Sequence, residues 1–577
     1  MTTNLGDMKS TILSRRDLDF LLYEWLRVDE LTSRPRFAEH SRETFDGVLD
    51  LCEQLAERYF APHNKRSDVH EPTFDGTTVT VIPEVKEALQ AFAKADLVGM
   101  GFDTELGGAQ LPATVAQAGF AWISAANVST SGYLMLTIAN ANLIAKFGTP
   151  EQISTWVQPM LAGRFTGTMA LSETQAGSSL ADITTRAEPQ ADGTYRLHGT
   201  KMWISGAEHE LTDNIVNLVL AKIPGGPAGT KGISLFIVPK FLVDADGSIG
   251  ARNNVAISGL NHKMGQRGIT NTVLNFDGAE GYLVGEPHRG IVYMFHMMNE
   301  ARLAVGMGAV SLGYTGYLKS LEYARERPQG RLVKDPSTPQ VPIIAHADVK
   351  RMLLAQKAYV EGALGLALYC ARLVDTEETD LLDILTPVAK SWPSQWCLEA
   401  NNLAIQVLGG YGYTREYDVE QHYRDNRLNP IHEGTHGIQS LDLLGRKVTQ
   451  REGASMAALS ERIAATVAAA GDHEFGAQLD AAWQRLVEVT GGMFASGDIE
   501  AAMANSAIYL EAFGHIVIAW IWLEQFLAAD GKHGDFYDGK RQAAQYFYRY
   551  ELPKTAPQLD LLASLDRTTL DMRDEWF

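Results

Sequence analysis

The residues with the clearest chemical potential lie in the stretch 424–439, where a carboxylate directly precedes a glycine. Pro430 interrupts regular structure arriving from the preceding residues, and Gly434 permits an unusual backbone angle or a close backbone contact. A helical spacing of apolar residues then starts at Ile438. Glu433, fixed at such a turn, could serve as a catalytic base. An ordinary acidic helix start, favoured by the helix dipole, is the plainer interpretation of the same residues.

A second arrangement with chemical potential is the run at residues 201–206, which its pattern predicts to be a β-strand. Successive side chains of a strand point to opposite faces, so Trp203 and Ser205 are expected on one face. Met202 and Ile204 would take the other face. An indole and a hydroxyl two residues apart could cover one side of a flat ring and donate a hydrogen bond to a ring nitrogen. A core tryptophan beside a surface serine fits the pattern equally well.

Two glycine-containing stretches could approach phosphates or ring carbonyls. Residues 169–179 combine small residues with hydroxyls, which offer donors on a fixed backbone. Gly409 and Gly410 would let backbone N–H groups come close to an anionic group. Simple loops and helix stops show the same composition, so each stretch alone allows both interpretations. No G-x-G-x-x-G pattern follows a predicted strand, so a Rossmann nucleotide site is not supported.

Charged side chains on the predicted helices add further candidates. Arg302 suits an anionic ligand, although a solvated or salt-bridged helix arginine is the commoner case. Arg327 stands in the charged helix end at residues 323–330. Glu300 is the nearest carboxylate that competes with Glu433 for the role of base.

The composition is that of an ordinary globular protein, with 45% hydrophobic and 21% charged residues in a chain of 577. This length predicts about two to four domains. The formal net charge of −20 argues against nucleic acid as the main partner. The cysteines Cys52, Cys370 and Cys397 show no metal-ligand spacing and cannot build a disulfide framework. We therefore expect no metal site and a reducing, cytoplasmic environment.

The chain shows no signal for insertion into a membrane. Charged residues interrupt the amino terminus, so it carries no apolar signal core. The most apolar stretch, residues 515–529, contains Glu524 and Gln525 and is short for a bilayer span. It is predicted to be a buried helix, and no transmembrane segment is expected.

The periodicity changes along the chain and predicts a multidomain α+β protein. Helical spacing dominates up to about residue 160, and alternating runs with a hairpin signal at Asp192-Gly193 follow. Helical spacing returns from Gly290, with candidate helices at 291–326, 343–375, 378–408 and 435–449. We predict an N-terminal all-α domain, a small antiparallel β-barrel or sandwich domain, a helix bundle and an extra helical C-terminal domain. Their predicted spans are residues 1–162, 163–288, 289–450 and 451–577.

This order of domains, with a Glu-Gly-Thr turn closing the helix bundle, resembles the acyl-CoA dehydrogenase family. The resemblance covers about residues 40–450 and rests on the separate motifs described above. The tail after residue 450 resembles the additional helical domain of the larger family members. Departures from the family pattern occur at Ser179, where an acidic residue is common, and at His432, where tyrosine is common.

The resemblance implies that FAD is the cofactor. It places the FAD contacts at Met169, Leu171, Ser172, Ser178, Trp203, Ser205, Arg327, Gln329, Gln406, Gly409, Gly410 and Thr435. It places the substrate contacts at Ser178, Asn299, Arg302 and Gly434, and the catalytic base at Glu433. Some family branches carry the base at position 301, which is alanine here. Glu300 is one residue out of phase with that position on the helix, about a quarter of a turn away.

The activity implied is α,β-dehydrogenation of an acyl-CoA thioester to the trans-2-enoyl-CoA, a step of fatty acid β-oxidation. Glu433 would remove an α-proton while the β-carbon delivers hydride to flavin N5. The Glu433 backbone N–H and a ribityl hydroxyl would stabilise the developing enolate. Burial against an acyl chain is expected to raise the pKa of the base toward neutrality.

The family also implies partners and alternatives. An electron-transfer flavoprotein or similar acceptor would take the electrons, and cofactor contacts across subunits imply a homodimer or a dimer of dimers. An acyl-CoA oxidase or flavin monooxygenase on the same fold, or a non-catalytic acyl-CoA-binding scaffold, are the competing interpretations. The sequence sets neither the acyl chain length nor the role of the C-terminal helical domain.

Overall fold

A computed structural model describes residues 10–333 and 335–577 and divides them into two compact units. Unit 1 contains the described residues up to Leu31 together with Val305–Phe577. Unit 2 contains Thr32–Ala304. The division into four domains stays a prediction. The first helix in the described part of the chain, α1 (Arg15–Asp19), belongs to unit 1 although it precedes all of unit 2 in the sequence.

Unit 2 begins with helices, as the sequence predicts. They are α2 (Arg42–Leu55), α3 (Asn64–Val69), α4 (Pro83–Lys94), α5 (Ala113–Ala126), α6 (Val128–Phe147), α7 (Pro150–Gln152) and α8 (Gln158–Leu161). The Ser41 side chain caps α2 by accepting the N–H of Thr44. A short hairpin with two residues in each strand, β1 (Thr73–Phe74) and β2 (Val79–Thr80), interrupts this otherwise helical region.

The second part of unit 2 is the predicted β-domain. Its strands are β3 (Phe165–Ala170), β4 (Arg186–Pro189), β5 (Tyr195–Ser205), β6 (Asn214–Lys222), β7 (Ile233–Pro239), β8 (Phe241–Val243), β9 (Ile249–Arg252), β10 (Val255–Leu260) and β11 (Asn271–Leu283). Seven strands form one sheet in the order β10-β11-β5-β4-β6-β3, and β7 pairs with both β6 and β11. Because β7 joins two strands that lie apart in this order, the sheet closes into a barrel. The Asp192-Gly193 signal is confirmed as the turn between β4 and β5, with a φ of +87° at Gly193.

The sheet departs from the predicted fully antiparallel arrangement at β6, which runs parallel both to β3 and to β4, the latter through Arg186 opposite Lys222. Strand β3 runs parallel to β6, with Phe165 opposite Asn214 and Ala170 opposite Val219. The connection between these strands contains the whole β4–β5 hairpin. Parallel neighbours need such a long crossover, whereas local alternation of residues carries no information about strand direction.

Strands β6 and β7 are buried along almost their full length because both of their faces are covered. On one face Leu218 and Ile237 pack with Trp156 of the helical part and with Met294. On the other face a second cluster, containing Phe236, fills the barrel interior. Strands buried on both sides lose the alternation of polar and apolar residues, and these two strands are correspondingly apolar.

The regular secondary structure in the described residues of unit 1 is helical, and an isolated bridge pairs Pro328 with Pro342 in the connection after the first long helix. Its helices are α9 (Gly290–Glu326, which begins in unit 2), α10 (Ala347–Thr376), α11 (Thr379–Leu408), α12 (Val419–Asn426), α13 (His436–Asp442), α14 (Gln450–Ala470), α15 (Glu474–Ala495), α16 (Ile499–Ala504), α17 (Ser506–Ala528), α18 (Asp535–Tyr546), α19 (Thr555–Ala563) and α20 (Thr568–Asp571). The four helices predicted between residues 291 and 449 are confirmed; the last continues from α13 into a π-helical turn, Leu443–Lys447.

Shorter helical turns connect many of these elements. The π-helical turns are Phe20–Trp25, Ala56–Phe60, Ile153–Val157, Leu443–Lys447 and Phe547–Glu551. The 3-10 turns are Val28–Ser33, Pro35–Phe37, Ala61–His63, Thr104–Leu106, Leu180–Asp182, Gly229–Gly232, Ile343–Ala345, Gly409–Tyr413, Leu552–Lys554 and Asp574–Trp576.

Helix α17 contains the apolar stretch that the sequence assigned to a buried helix. Within the described part of the chain it is the one helix long and apolar enough to cross a membrane, and 83% of its most apolar window is buried inside the protein. Helix α17 packs against α10, α13, α15, α18 and α19 within unit 1. Length and apolar composition are shared by membrane spans and core helices, and the packing here is that of a core helix.

A buried charge network joins three separate parts of unit 1. The Lys540 ammonium on α18 lies 2.5 Å from a carboxylate oxygen of Asp17 on α1 and 2.8 Å from one of Glu361 on α10. Lys357 forms a further ion pair with Glu361, and the Tyr314 hydroxyl donates to Asp17 at 2.9 Å. Burial raises the pKa of Asp17, and the Lys540 charge opposes this effect. The amino-terminal segment is thereby tied to the C-terminal helical region.

We predict that Lys540→Met destabilises unit 1, because it leaves two buried carboxylates without this cation. Loss of one partner of a buried pair costs about 3–5 kcal/mol. The matched control is Lys532→Met, which removes an ion pair with Glu24 that is partly exposed and should cost less than about 1 kcal/mol. Thermal melts followed by circular dichroism measure both effects. Equal melting temperatures for the two variants would contradict the prediction.

Two buried histidines predict a loss of stability in acid. Burial lowers the pKa of His209 and of His422 to about 3, and the charges of Lys240 and Lys319 act in the same direction. Below roughly pH 6.5, where unfolded histidine titrates, the unfolded chain binds more protons than the folded chain. Stability should therefore fall as the pH drops from that value toward the folded pKa, by up to about 1.4 kcal/mol per pH unit for each histidine. Replacing either histidine with phenylalanine should flatten this dependence in melting experiments, whereas changing the exposed His533 should leave it unchanged.

Candidate active site

The turn that carries Glu433 lies in unit 1, between the end of α12 and the start of α13. Glu433 has a φ of +53° and Gly434 a φ of +90°, so both residues occupy the left-handed region. This conformation costs a non-glycine residue about 1–2 kcal/mol. A Cβ on Gly434 would also lie 2.5 Å from the Gln439 amide nitrogen, so the position has two reasons to be glycine. The sequence correctly indicated an unusual turn at Gly434, and the structure extends it to the glutamate itself.

Side chains from neighbouring elements hold this turn. The Lys390 ammonium on α11 donates to the carbonyl oxygens of Asn429 at 2.8 Å and Gly434 at 2.6 Å. The Gln439 amide donates to the Glu433 carbonyl at 3.0 Å. The Thr435 hydroxyl oxygen caps α13 by accepting the N–H of Ile438 at 3.4 Å. Strained backbone persists where the surroundings determine it in this way, and such sites are frequently functional.

Two histidines flank the turn and are uncharged at neutral pH. Burial lowers the pKa of His432 to about 3 and that of His436 to about 4, and the Lys390 charge adds to both effects. A ring nitrogen of His436 lies 3.0 Å from the Ser391 hydroxyl. The departure from tyrosine at position 432 therefore introduces a neutral imidazole and not a second cation.

A cleft of about 430 Å³ opens on unit 1 at the end of α9 and the end of α11. It is lined by Tyr323, Arg327, Gln329, Ile343, Val407, Leu408, Gly409, Gly410, Tyr411 and Thr414. The structure thus brings together four residues that the sequence assigned to FAD from two separate motifs, namely Arg327, Gln329, Gly409 and Gly410. Gln406, assigned to FAD from the second of these motifs, does not line the cleft.

The chemistry of this cleft suits an anionic ligand with a ring. Arg327 places its guanidinium 5.5 Å from the ring centre of Tyr411. Gly409 has a φ of +61°, and a Cβ added at Gly409 or Gly410 would meet no atom within 4 Å, so their backbones face open space. Tyr411 and Thr414 were not among the predicted site residues. Tyr411 directly follows the glycine pair, and that position is the only sequence signal for it.

In unit 2, strand β5 carries an exposed tryptophan with a strained backbone two residues before its end. Trp203 has a φ of +67° and retains 61% of its surface exposure. The pairing with β11 shifts here: Ile204 lies opposite Thr272, but Lys201 lies opposite Leu274, which is a β-bulge. The predicted regular alternation along this strand was wrong, because the extra residue turns Lys201 and Ile204 inward together. The Ser205 hydroxyl accepts a hydrogen bond from the Asn271 amide at 3.0 Å.

The segment 169–179 is anchored to β5 by a glutamate that the sequence analysis did not select. The buried Glu173 carboxylate lies 3.0 Å from the Lys201 ammonium and accepts hydrogen bonds from the backbone and hydroxyl groups of Thr184 and Thr185. Burial opposes ionisation, but Lys201 and these hydrogen bonds outweigh it and lower the pKa of Glu173 to about 2. Only its burial distinguishes Glu173 from a surface glutamate, and burial was not evident from the loop composition.

The residues of this segment that the sequence assigned to FAD lie on either side of Glu173. Met169 lies on β3. The Leu171 carbonyl accepts a hydrogen bond from the Lys201 ammonium at 2.9 Å. The Ser172 carbonyl accepts the N–H of Met202 at 2.9 Å. Ser178 lies exposed in the loop that follows. The segment and the bulged strand are therefore held together, as a shared ligand site would require.

The helix α9 residues predicted for substrate binding are placed differently from the exposed position that a CoA contact suggests. Arg302 is only 3% exposed, and its guanidinium lies 3.4 Å from the side-chain oxygen of Asn299. Glu300 contacts Asn142 at 3.4 Å and His296 at 3.3 Å. Partial burial raises the pKa of the Glu300 carboxyl group.

Among the described residues, no group of three or more His, Cys, Asp or Glu side chains is arranged to hold a metal ion. Cys52, Cys370 and Cys397 are all buried, and none of them forms a disulfide.

Comparison with known families identifies four consecutive matches. Residues 43–164 match the acyl-CoA dehydrogenase N-terminal domain, 168–279 the middle domain and 288–448 the C-terminal domain. Residues 459–573 match the domain described as acetyl-CoA dehydrogenase C-terminal like.

Two curated relatives align over nearly the whole chain. A 3-methylmercaptopropionyl-CoA dehydrogenase of Ruegeria pomeroyi is 34% identical, over 92% of this chain and 94% of its own. The broad-specificity linear acyl-CoA dehydrogenase FadE5 of Mycobacterium tuberculosis is 33% identical, over 97% and 99% of the two chains.

Solved structures share the fold at lower identity. The Caenorhabditis elegans ACDH-11 complex with C11-CoA superposes with a TM-score of 0.74 at 18% identity, covering 100% of this chain and 95% of that one. An acyl-CoA dehydrogenase of Bacillus anthracis complexed with FAD gives 0.74 at 20% identity, covering 93% and 90%. The multidomain α+β architecture predicted from the sequence is thereby confirmed. The domain matches and the two relatives above 30% identity show that the chain belongs to the acyl-CoA dehydrogenase family and is an oxidoreductase.

Proposed function

We propose that this protein is an FAD-dependent acyl-CoA dehydrogenase that converts an acyl-CoA thioester to its trans-2-enoyl-CoA, with Glu433 as the base. The observation that carries the proposal is the strained Glu433–Gly434 turn in unit 1. A carboxylate held in left-handed backbone by Lys390 and Gln439 costs stability, and packing alone does not require that cost. The family membership of the chain supplies the reaction class.

The FAD cofactor supplies the hydride acceptor for this reaction when it is bound. In unit 1 the cleft residues Arg327, Gln329, Gly409 and Gly410 fit its anionic and polar groups, because they offer a cation, an amide and accessible backbone. In unit 2 the exposed indole of Trp203 offers a flat apolar surface for a ring.

Glu433 has the demanding part of the chemistry. An α-proton of a thioester is far less acidic than a carboxylic acid, so the base needs a fixed position and a stabilised enolate. The neutral His432 and His436 rings add no cation that would compete for the carboxylate. The Glu433 backbone N–H is proposed to donate to the thioester carbonyl.

The substrate is proposed to be a fatty acyl-CoA within β-oxidation. The two long relatives are named for a sulfur-containing short acyl-CoA and for linear acyl-CoAs, so a panel of both kinds is the appropriate first test. The electron acceptor is proposed to be an electron-transfer flavoprotein. A relative from Acetobacterium woodii, 28% identical, is named as a subunit of a reductase–Etf complex. A cytoplasmic homodimer or dimer of dimers is the proposed assembly.

The first test replaces the base. Glu433→Gln should retain FAD and acyl-CoA binding but lose turnover by roughly 10³-fold, because an amide cannot accept the α-proton. The same variant should stop the exchange of α-hydrogens of acyl-CoA with D₂O, followed by mass spectrometry without an electron acceptor. This exchange reports proton removal separately from oxidation.

Glu300→Gln is the matched control for this test, since it changes the competing carboxyl group on α9. It should keep α-hydrogen exchange within a few-fold of the original protein. If Glu433→Gln stays active while Glu300→Gln is inactive, the base has been assigned to the wrong residue. Rapid oxygen uptake without an added acceptor would instead indicate the oxidase alternative.

The cleft on unit 1 gives an independent test of cofactor binding. Arg327→Met removes a charge-assisted contact and should weaken FAD binding by about 10- to 100-fold. The flavin-to-protein absorbance ratio after dialysis measures this loss. Arg325→Met, an exposed arginine two residues earlier outside the cleft, should leave the ratio unchanged. A colourless original protein that cannot be reconstituted with FAD would support the scaffold alternative.

A further inference from the structure

We infer that Lys390 is a positioning residue for Glu433: its buried ammonium fixes the backbone turn that presents the base. The inference rests on the proposed function, because it assigns Lys390 a role only if Glu433 is the base. Lys390 lies in the middle of α11, is completely buried, and does not belong to any motif selected from the sequence.

The ammonium bridges the two ends of the turn. It donates to the carbonyl of Asn429, before Glu433, and to the carbonyl of Gly434, directly after it. These two acceptors are five residues apart, so the contacts restrict both the entry and the exit of the segment. A lysine ammonium has three donors that can point in different directions, which suits two carbonyls that do not share a plane.

A cation is chemically suited to this place. Peptide carbonyls in a left-handed turn have no ladder partner, and a buried carbonyl without a donor costs about 1–3 kcal/mol. Hydrogen bonds from an ionised donor are roughly twice as strong as neutral ones. Burying the lysine charge is itself expensive, so its presence at this position is best explained by the backbone that it holds.

One of the two acceptors is itself held by a chain of buried amides. The Asn429 side chain donates to the Asn426 side-chain oxygen at 2.8 Å. The Asn426 amide donates to Asn401 on α11 at 2.7 Å, and the Asn401 amide donates to the Leu312 carbonyl on α9 at 2.9 Å. Asn429 is thus fixed relative to two long helices. Because Lys390 donates to both carbonyls, it holds Gly434 at a set position relative to Asn429.

The position of the Lys390 backbone is set by close helix packing. A Cβ on Gly306 of α9 would lie 2.0 Å from the Ala389 carbonyl oxygen and 3.4 Å from the Lys390 Cα. Glycine at this position lets α11 approach α9 closely. This contact helps to fix the backbone from which the Lys390 side chain extends to the turn.

The main competing explanation is a purely structural lysine that stabilises unit 1 without affecting the base. The two explanations differ in what they predict for a folded variant. A structural role changes the melting temperature and leaves the remaining folded protein fully active. A positioning role lowers proton removal in protein that is folded and loaded with FAD, with little change in KM.

The experiment compares Lys390→Gln, Lys390→Met and Lys390→Arg in the FAD-loaded protein. Each is assayed for FAD content, melting temperature, kcat, KM and α-hydrogen exchange of acyl-CoA in D₂O. The matched control is Lys447→Met, a buried lysine of unit 1 whose ammonium pairs with Asp383 at 3.1 Å and does not contact the turn.

Lys390→Gln and Lys390→Met should lower kcat and the exchange rate by roughly 100-fold, the order expected for a base displaced by about 1 Å. FAD content and KM should stay within a few-fold of the original values. Lys390→Arg retains the charge and should recover part of the loss. Lys447→Met should exchange α-hydrogens at the original rate even if its melting temperature falls.

A second variant tests the inference if the Lys390 variants do not fold. Gln439→Leu removes the amide that holds the Glu433 carbonyl and keeps Lys390, and it should also lower exchange more than it lowers the melting temperature. In the Lys390→Gln and Lys390→Met variants, a measurement that does not depend on activity reports the loss of the ammonium charge. The pKa values of His432 and His436, about 3 and about 4 in the original protein, should rise in NMR titrations.

The outcomes separate the inference from the function on which it rests. If the original protein shows no exchange with any acyl-CoA, the proposed function fails. If it exchanges normally and a folded Lys390→Gln variant does so too, the positioning role is overturned while the proposed function stands. A loss that follows melting temperature equally in Lys390→Met and Lys447→Met also overturns the positioning role.

Discussion

The conformation of the turn at Glu433 depends on side-chain donors that reach its carbonyl oxygens, chiefly the buried Lys390 ammonium. Glu433 and Gly434 both have positive φ values, so the helical hydrogen bonding that reaches His432 through the Leu428 carbonyl does not continue through them. Lys390 and Gln439 replace those bonds from the side. The orientation of the base therefore depends on the position of α11, and the position of α11 depends on the glycine contact with α9.

Unit 2 uses the same physical device in a different fold. There the buried Lys201 ammonium contacts the Glu173 carboxylate and the Leu171 carbonyl. These contacts hold the loop after β3 against the bulged end of β5. Trp203 can keep a strained backbone and an exposed indole because the residues on both sides of it are fixed. In both units the hydrogen bonds of a buried lysine stabilise irregular backbone next to a predicted site residue.

The β-barrel explains why the strands that support this loop are so apolar. Closure through β7 removes the free edges between β6 and β11, and helices cover the outer face of β6 and β7. A strand buried on two faces is mostly apolar and shows little alternation, and the few polar residues here, such as Asn217, are themselves buried. The loop after β3 and the end of β5 extend from this rigid support, where precise placement of donors is least affected by motion.

The sequence alone determined the features that arise from local chain preferences. Helical periodicity located α9, α10 and α11, the Asp-Gly pair located the hairpin, and Gly434 indicated the turn. These predictions succeed because hydrophobic spacing and glycine act over a few residues. Family motifs added Arg327 and Gly409, and the structure brings both into one cleft.

Tertiary structure alone decided the contacts that connect distant parts of the chain. Lys390 reaches Gly434 across 44 positions, and Lys201 reaches Glu173 across 28. The bulge at Trp203 and the parallel pairing of β3 with β6 likewise depend on neighbouring strands. A lysine within a helical pattern looks the same whether its ammonium reaches water or a buried carbonyl. Burial is set by which elements pack together, and that information is not contained in the spacing of residues along one element.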